Sequence, residues 1–238
     1  MGPVKQLPLD VGLRELATFT SFVPGDAAAA VAALQGLAAG GAQQMTLWGP
    51  AGVGKTHLLQ AVCHAARLAG HSSMYLPLGR LRAQGPGIVE GLAELEVICL
   101  DELHVVLGDR AWERALCHLI NQVRDYRHAL VMALRDNPGQ VTTALPDLGS
   151  RLLWGPVFWI GSQDDAVKLA VLQHRAQQRG FELPEPVGYF LLNRYQRDLV
   201  SLLALLERID NASLAAQRRV TIPFIREILQ AEQNRTNL

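Results

Sequence analysis

Gly49-Pro50-Ala51-Gly52-Val53-Gly54-Lys55-Thr56 satisfies every fixed position of a Walker A loop. Glycines let the chain turn tightly with several backbone N–H groups converging. A helix starting at the end of the turn adds its positive terminus, so the loop forms a cradle for phosphate oxygens. In that chemistry Lys55 reaches the β- and γ-phosphates, and the Thr56 hydroxyl takes one place in a Mg2+ shell. The flanking pattern fits: Gln44–Trp48 reads as a short apolar strand, and Lys55–Ala69 as a helix closed by Gly70. A chance glycine-rich turn would have to supply every fixed residue and both flanking elements by accident.

The second chemical feature is Val97-Ile98-Cys99-Leu100-Asp101-Glu102. Four apolar residues predict a strand buried on both faces, as parallel strands are, and the two acids stand at the C-terminal rim, where open α/β sheets bind ligands. Asp101 suits the Mg2+ shell and Glu102 the polarisation of an attacking water. Alone, such a run is more often a strand end meeting a helix cap. Behind a complete Walker A loop it reads as a Walker B motif. His57 and His104 lie beside these motifs, but the seven histidines show no metal-ligand spacing and both read as packing or surface residues. Cys63, Cys99 and Cys117 are odd in number, lack CxxC spacing and fall in apolar patterns, so they read as reduced core residues of a cytosolic protein.

These groups need a scaffold, and 238 residues at 49% hydrophobic can build one large α/β domain with a smaller companion. The formal net charge of zero argues against general attraction to nucleic acid or anionic membrane. No apolar run approaches the roughly 18 to 20 residues of a membrane span, and no signal-peptide pattern opens the chain, so a cytoplasmic location is expected.

Taken in order, residues 1–18 read as a flexible leader. Within it, Gln6-Leu7-Pro8-Leu9 sets two apolar anchors on a stiffened stretch, suited to a partner's groove or to packing on its own domain. Asp26 is a candidate N-cap for the alanine-rich helix that runs to Ala39. Ser73–Leu78 reads as a strand, Gly79–Gly87 as a loop, Ile88–Leu95 as a short helix, and Asp109–Tyr126 as a long one. Ala129–Leu134 and Val157–Ile160 supply two further strands, with Pro146–Leu152 a short helix between them. Five strands interleaved with helices predict a parallel, doubly wound sheet. From Asp164 strand signals stop. Helices are expected over Asp164–Arg179, Pro184–Tyr195, Gln196–Gln217 and Pro223–Gln230, with the boundary near residues 161–163.

Beyond the Walker motifs, several stretches carry a resemblance: Gln6–Leu9, Thr18–Asp26, Leu145–Gly155 with its Ser-Arg-Leu-Leu-Trp-Gly segment, Arg179–Glu185, and Thr221-Ile222-Pro223-Phe224. On these the chain resembles the AAA+ ATPases of the bacterial initiator DnaA group, and within it the branch that inactivates the initiator. The resemblance implies an α/β fold with a five-stranded parallel P-loop AAA+ core (residues 19–161), followed by a small all-helical lid domain (residues 162–238). It makes Gln6, Leu7 and Leu9 a motif that docks on the DNA sliding clamp, Phe22 and Val23 part of a loop packing on adenine, and Arg151 an arginine finger for the ATP of a DnaA molecule. The implied cofactors are ADP or ATP with Mg2+, and self-association is expected because AAA+ sites lie between neighbours.

Two positions depart from the family pattern. Arg135 stands where a small polar or acidic sensor is usual, with Asp136 beside it, and Val200 replaces the lid arginine that touches the phosphates. Arg197, one helical turn earlier, is the candidate substitute. Weak ATPase activity of its own is therefore expected, with stable nucleotide binding. The chain stops at Leu238 without the helix-turn-helix domain of the initiators, so sequence-specific DNA binding is not expected. The resulting expectation is a negative regulator of replication initiation that stimulates hydrolysis of DnaA-bound ATP. Its rivals are an autonomous ATPase acting as a helicase loader or remodeller, and a passive adaptor between clamp and partner.

Overall fold

The computed structural model describes residues 17–161, 164–195 and 198–228. They fall into two units, divided after Gly161.

The first unit is built on five parallel strands in the order β2-β3-β4-β1-β5. These are β1 (Gln44–Trp48), β2 (Ser73–Pro77), β3 (Val97–Asp101), β4 (Ala129–Leu134) and β5 (Val157–Trp159). The unbroken apolar runs of β3 and β4 follow from coverage on both faces. Ala129, Val131 and Ala133 pack with Leu34 of α1 (Ala28–Ala38) and Leu58 and Val62 of α2 (Lys55–Leu68). The alternating residues Leu130, Met132 and Leu134 face the opposite layer, with Leu116 and Leu119 of α4 (Arg110–Asp125) and Leu148 of α5 (Pro146–Leu152). A strand with one residue up and the next down thus buries both sets. At the edge, β5 is different. Val157 and Trp159 are exposed and Ile160, just beyond the strand, is buried.

Between β2 and β3 the local reading needs correction. The loop expected over residues 79–87 begins as the short helix α3 (Leu78–Leu81) and continues as a 3-10 turn over Arg82–Gln84. The single helix expected over Ile88–Leu95 is two 3-10 turns, Pro86–Val89 and Leu92–Glu94, because Gly91 between them adopts a left-handed φ of 77°. Asp26 caps no helix with its side chain; it lies in a 3-10 turn, Gly25–Ala27, that feeds directly into α1. Asp109, by contrast, accepts from the Ala111 and Trp112 amides and starts α4. Cys63 and Cys99 are buried in the core and Cys117 only half-buried, all three as free thiols.

The second unit is helical throughout its described residues: α6 (Asp165–Gln178), α7 (Glu185–Arg194), α8 (Leu199–Ala216) and a helical segment over residues 222–228. Asp164 and Asp198 cap α6 and α8, which is why α8 begins later than the apolar pattern indicated. Leu172, Leu191, Leu206 and Ile225 meet in its core. Arg179, at the end of α6, bridges to Glu207 and the largely buried Asp210 on α8. No helix among the described residues is long and apolar enough to cross a membrane.

Candidate nucleotide site

The Walker A loop leaves the C-terminal end of β1 and enters α2, the junction the phosphate chemistry requires. Gly49 has a φ of 149°, and a Cβ there would strike the Ile160 carbonyl, so the loop approaches the end of β5 more closely than any other residue permits. Phe22 supports the loop's other end. Its Cε2 lies 2.7 Å from where a Cβ on Gly54 would stand, and its ring is 5.5 Å from His57. Phe22 is therefore buried in the core against the loop. His57 is a packing residue too: its Nε2 lies 2.9 Å from the Thr18 carbonyl, tying α2 to the N-terminal segment.

Lys55 folds across the loop, donating from Nζ to the carbonyls of Gly49 and Pro50, each at 2.6 Å. Burial pulls its ammonium below the usual lysine value, Asp101 pulls it back up, Arg135 lowers it further and Glu102 opposes that. A phosphate anion would reverse the burial penalty, so the lysine is poised for one. The Thr56 hydroxyl donates to Asp101 Oδ2 at 2.6 Å, joining the two Walker motifs directly. Hydroxyl and carboxylate together are an oxygen donor pair of the kind that holds Mg2+.

Sequence reasoning missed Tyr75. Its phenol, on β2, donates to the same Asp101 oxygen at 2.9 Å, and Gln60 on α2 hydrogen-bonds the phenol in turn. Burial first, then the Asp101 charge, pushes Tyr75 far above the ordinary phenol value, so it stays a donor. The available signal was a lone tyrosine on the strand beside the Walker B strand. Glu102 occupies a left-handed conformation, φ 56°, immediately past β3. Its carboxylate lies over Gly79, where any side chain would collide with it. Glu102 is exposed, and its charge, with those of Arg135 and Asp136, acts on the neighbouring His104. Burial and then Arg135 pull the His104 imidazole below its usual value.

Arg151 stands apart from these groups, on the last turn of α5. Its Nε donates to Asn121 at 3.0 Å, its Nη1 lies 3.1 Å from the Asp147 carboxylate, and its guanidinium is 5.3 Å from the Trp154 ring. None of these partners belongs to a Walker motif. The end of α5 is tied to β1, since Thr46 donates to the Leu152 carbonyl at 2.8 Å and Gln44 to that of Arg151. The start of α5 is fixed by a residue the sequence did not single out. Glu113 is fully buried and accepts from the backbone amides of Gly108, Ala144 and Leu145.

Three family profiles match parts of the chain: the bacterial DnaA ATPase domain over residues 13–76, the ATPase family associated with various cellular activities (AAA) over the overlapping residues 45–154, and the Hda lid domain over residues 165–229. Together the profiles match a DnaA-type AAA+ ATPase domain followed by an Hda-type lid domain. Solved structures share the fold of this chain. Domain III of the Thermotoga maritima replication initiation protein DnaA is 20% identical and superposes with a TM-score of 0.80, covering 92% of this chain and 98% of that one. AMPPCP-bound DnaA from Aquifex aeolicus is 18% identical with a TM-score of 0.70, covering 83% and 66%. The Thermotoga maritima RuvB Holliday junction branch migration motor is 16% identical with a TM-score of 0.61, covering 90% and 73%.

The remaining residues expected from the sequence are Gln6, Leu7 and Leu9 in the leader and Arg197 in the lid. All four lie outside the described residues. Val200 sits in the first turn of α8.

Proposed function

We propose that the chain is an activator of DnaA-bound ATP hydrolysis. Holding its own adenine nucleotide and Mg2+ at the Walker site, it docks on the DNA-loaded sliding clamp through Gln6, Leu7 and Leu9 and presents Arg151 to the triphosphate of DnaA. At its own site Lys55 and the loop amides bind the phosphates, Thr56 and Asp101 hold the metal, Tyr75 orients Asp101, and the Phe22–Gly25 segment borders the base. Mg2+ neutralises phosphate charge when bound. The nucleotide is a resident ligand in this reading, with slow turnover because Arg135 and Val200 replace the usual sensors.

The observation that carries the reading is how Arg151 is held. Its side chain is 15% exposed, but its ionic partner Asp147 is 76% exposed, so the pair sits at the water boundary and not in a core. A pair of that kind contributes only about 0–1 kcal/mol. Exchanging it for a γ-phosphate is therefore easy, and a guanidinium neutralising charge there accelerates hydrolysis by roughly a thousandfold or more in other NTPases. The test is to mix the protein, DNA-loaded clamp and ATP-charged DnaA and follow ADP formation. Stimulation that disappears in Arg151→Ala supports the reading; no stimulation by the unmodified protein sinks it.

A second reading is favoured by the intact Asp101–Glu102 pair with its Thr56 and Tyr75 contacts. It makes the chain an autonomous ATPase whose own hydrolysis is the working step. Glu102→Gln separates the two: it abolishes function in that case and leaves stimulation of DnaA intact in the first.

A further inference from the structure

On the rim opposite the Walker loop, where β1 and β4 begin, the surface opens into a cavity of about 540 Å3. Val123 and Leu130 form an apolar floor, Trp154 a wall, and Arg124, Arg127 and His128 the polar edge, with no acidic residue in the lining. The Arg124 guanidinium lies 4.6 Å from the Trp154 ring centre. Among the described residues neither Arg124 nor Arg127 has an ion pair or a side-chain hydrogen bond. Arg127 also pays a conformational cost to be there. It follows the end of α4 with a φ of 58°, in the turn closed by His128 N–H to the Val123 carbonyl at 2.9 Å, a place where glycine is the unstrained choice.

Two uncompensated guanidiniums beside an indole and an apolar floor form a receptor for a carboxylate carried on an apolar stem. The position of the cavity indicates who carries it. The same Trp154 ring that meets Arg124 meets Arg151 at 5.3 Å. The two guanidiniums are thus within roughly 10 Å of each other, well inside the roughly 800 Å2 that one partner covers in a standard interface. A protein surface that brings a triphosphate to Arg151 also covers this cavity.

We propose that the Arg124–Arg127–Trp154 pocket is a docking site for an acidic side chain or short acidic segment of the ATPase whose nucleotide Arg151 serves. The proposal rests on the reading of Arg151 given above and deepens it, because it separates recognition of the partner from stimulation of its chemistry. Charge across an interface sets encounter rate and register. The pocket therefore governs how much protein is needed, and Arg151 governs how fast the bound partner turns over.

The experiment titrates the full chain, with DNA-loaded clamp, into ATP-bound DnaA and reads the half-saturating concentration and the maximal rate. Direct affinity for immobilised DnaA is measured alongside. The double variant Arg124→Glu/Arg127→Glu is expected to raise the half-saturating concentration and the dissociation constant at least tenfold with the maximal rate unchanged. Arg124→Lys/Arg127→Lys should recover most of the affinity. Arg124→Gln/Arg127→Gln, which introduces no repulsion, should show a smaller loss in the same direction and serves if the charge reversal does not fold. Unchanged half-saturation and affinity in both the Glu and Gln variants overturn the proposal, as does a fall in maximal rate at unchanged affinity. If Arg151→Ala proves fully active while charge reversal still weakens binding, the finger reading fails and the docking site stands.

Discussion

Arg151 Nη1 lies 3.1 Å from the carboxylate of Asp147, one turn earlier in α5, and donates to that residue's carbonyl at 2.9 Å. The arginine is thus held by its own helix and by Asn121 of α4, and its ionic partner is open to replacement by a group with more negative charge. Substituting Asp147 by Asn removes the competitor while keeping the helix. We expect Asp147→Asn to stimulate DnaA at least as well as the unmodified protein, at a stability change of about 1 kcal/mol or less. Arg151→Ala should reduce stimulation to background, and Arg151→Lys should not restore it, since an ammonium lacks the planar fork. Clamp-dependent ADP formation on DnaA measures all three. A strong loss in Asp147→Asn would mean that the ion pair itself is the working arrangement.

The Tyr75 phenol shares Asp101 Oδ2 with the Thr56 hydroxyl, at 2.9 and 2.6 Å. Removing the phenol leaves Asp101, buried at the end of β3, with one hydrogen bond fewer and freer to turn from the metal position. Tyr75→Phe should lower stability by about 1 kcal/mol and weaken nucleotide retention several-fold, more so in Mg2+ than in its absence. Thermal unfolding and titration with a fluorescent ADP analogue read the two effects. Equal weakening with and without Mg2+ would assign Tyr75 to packing alone.

Much of this fold is legible in the sequence because its signals are local or periodic. The bounds of β1 and β4 follow from runs of apolar residues closed by turns, the start of α5 from Pro146 in its first turn, and the Walker loop from a fixed string. What stays hidden depends on partners distant in the chain. Glu113 looks like one more charge on a solvated helix face, yet its acceptors' donors lie up to 32 residues away at Leu145. Tyr75 becomes a site residue only when β2 is laid beside β3. The split of the Ile88–Leu95 segment turns on Gly91, whose backbone freedom outweighs an apolar pattern that otherwise reads as helix. That Phe22 also packs under the Walker loop, against Gly54 and His57, is likewise invisible until the N-terminal segment is laid on α2.

Glu113 makes a separable prediction. Its two carboxylate oxygens take the amides of Gly108 and Ala144, at 2.7 and 3.0 Å, and of Leu145 at 2.7 Å, anchoring the approach to α5. Glu113→Ala would leave these donors without acceptors and should cost about 3 kcal/mol. Glu113→Gln keeps one carbonyl acceptor and should cost less. Both should reduce stimulation of DnaA while nucleotide binding at the Walker loop persists, which equilibrium unfolding and nucleotide titration can separate. If the Ala variant lost nucleotide binding in the same proportion, the anchor would serve the whole unit and not α5.

Acid stability gives the last prediction. Glu96 accepts from His71 at 2.9 Å, from the Ser72 amide at 2.7 Å and from the Ser72 hydroxyl at 3.1 Å, pinning the start of β3 to the start of β2. The His71 hydrogen bond first, and then the two from Ser72, hold the Glu96 carboxyl down to about 2, against 4.5 for an ordinary glutamate. A carboxylate depressed in the folded state stabilises it fully above its unfolded value, and that contribution is lost as pH falls through the window between the two. Stability should therefore decline between pH 4.5 and about 2 with a component that Glu96→Gln removes. The variant should be less stable than the parent at pH 7 and approach it at the acid end. Denaturant midpoints for the two proteins across that range decide it, and parallel curves would show that Glu96 is already solvated and contributes nothing.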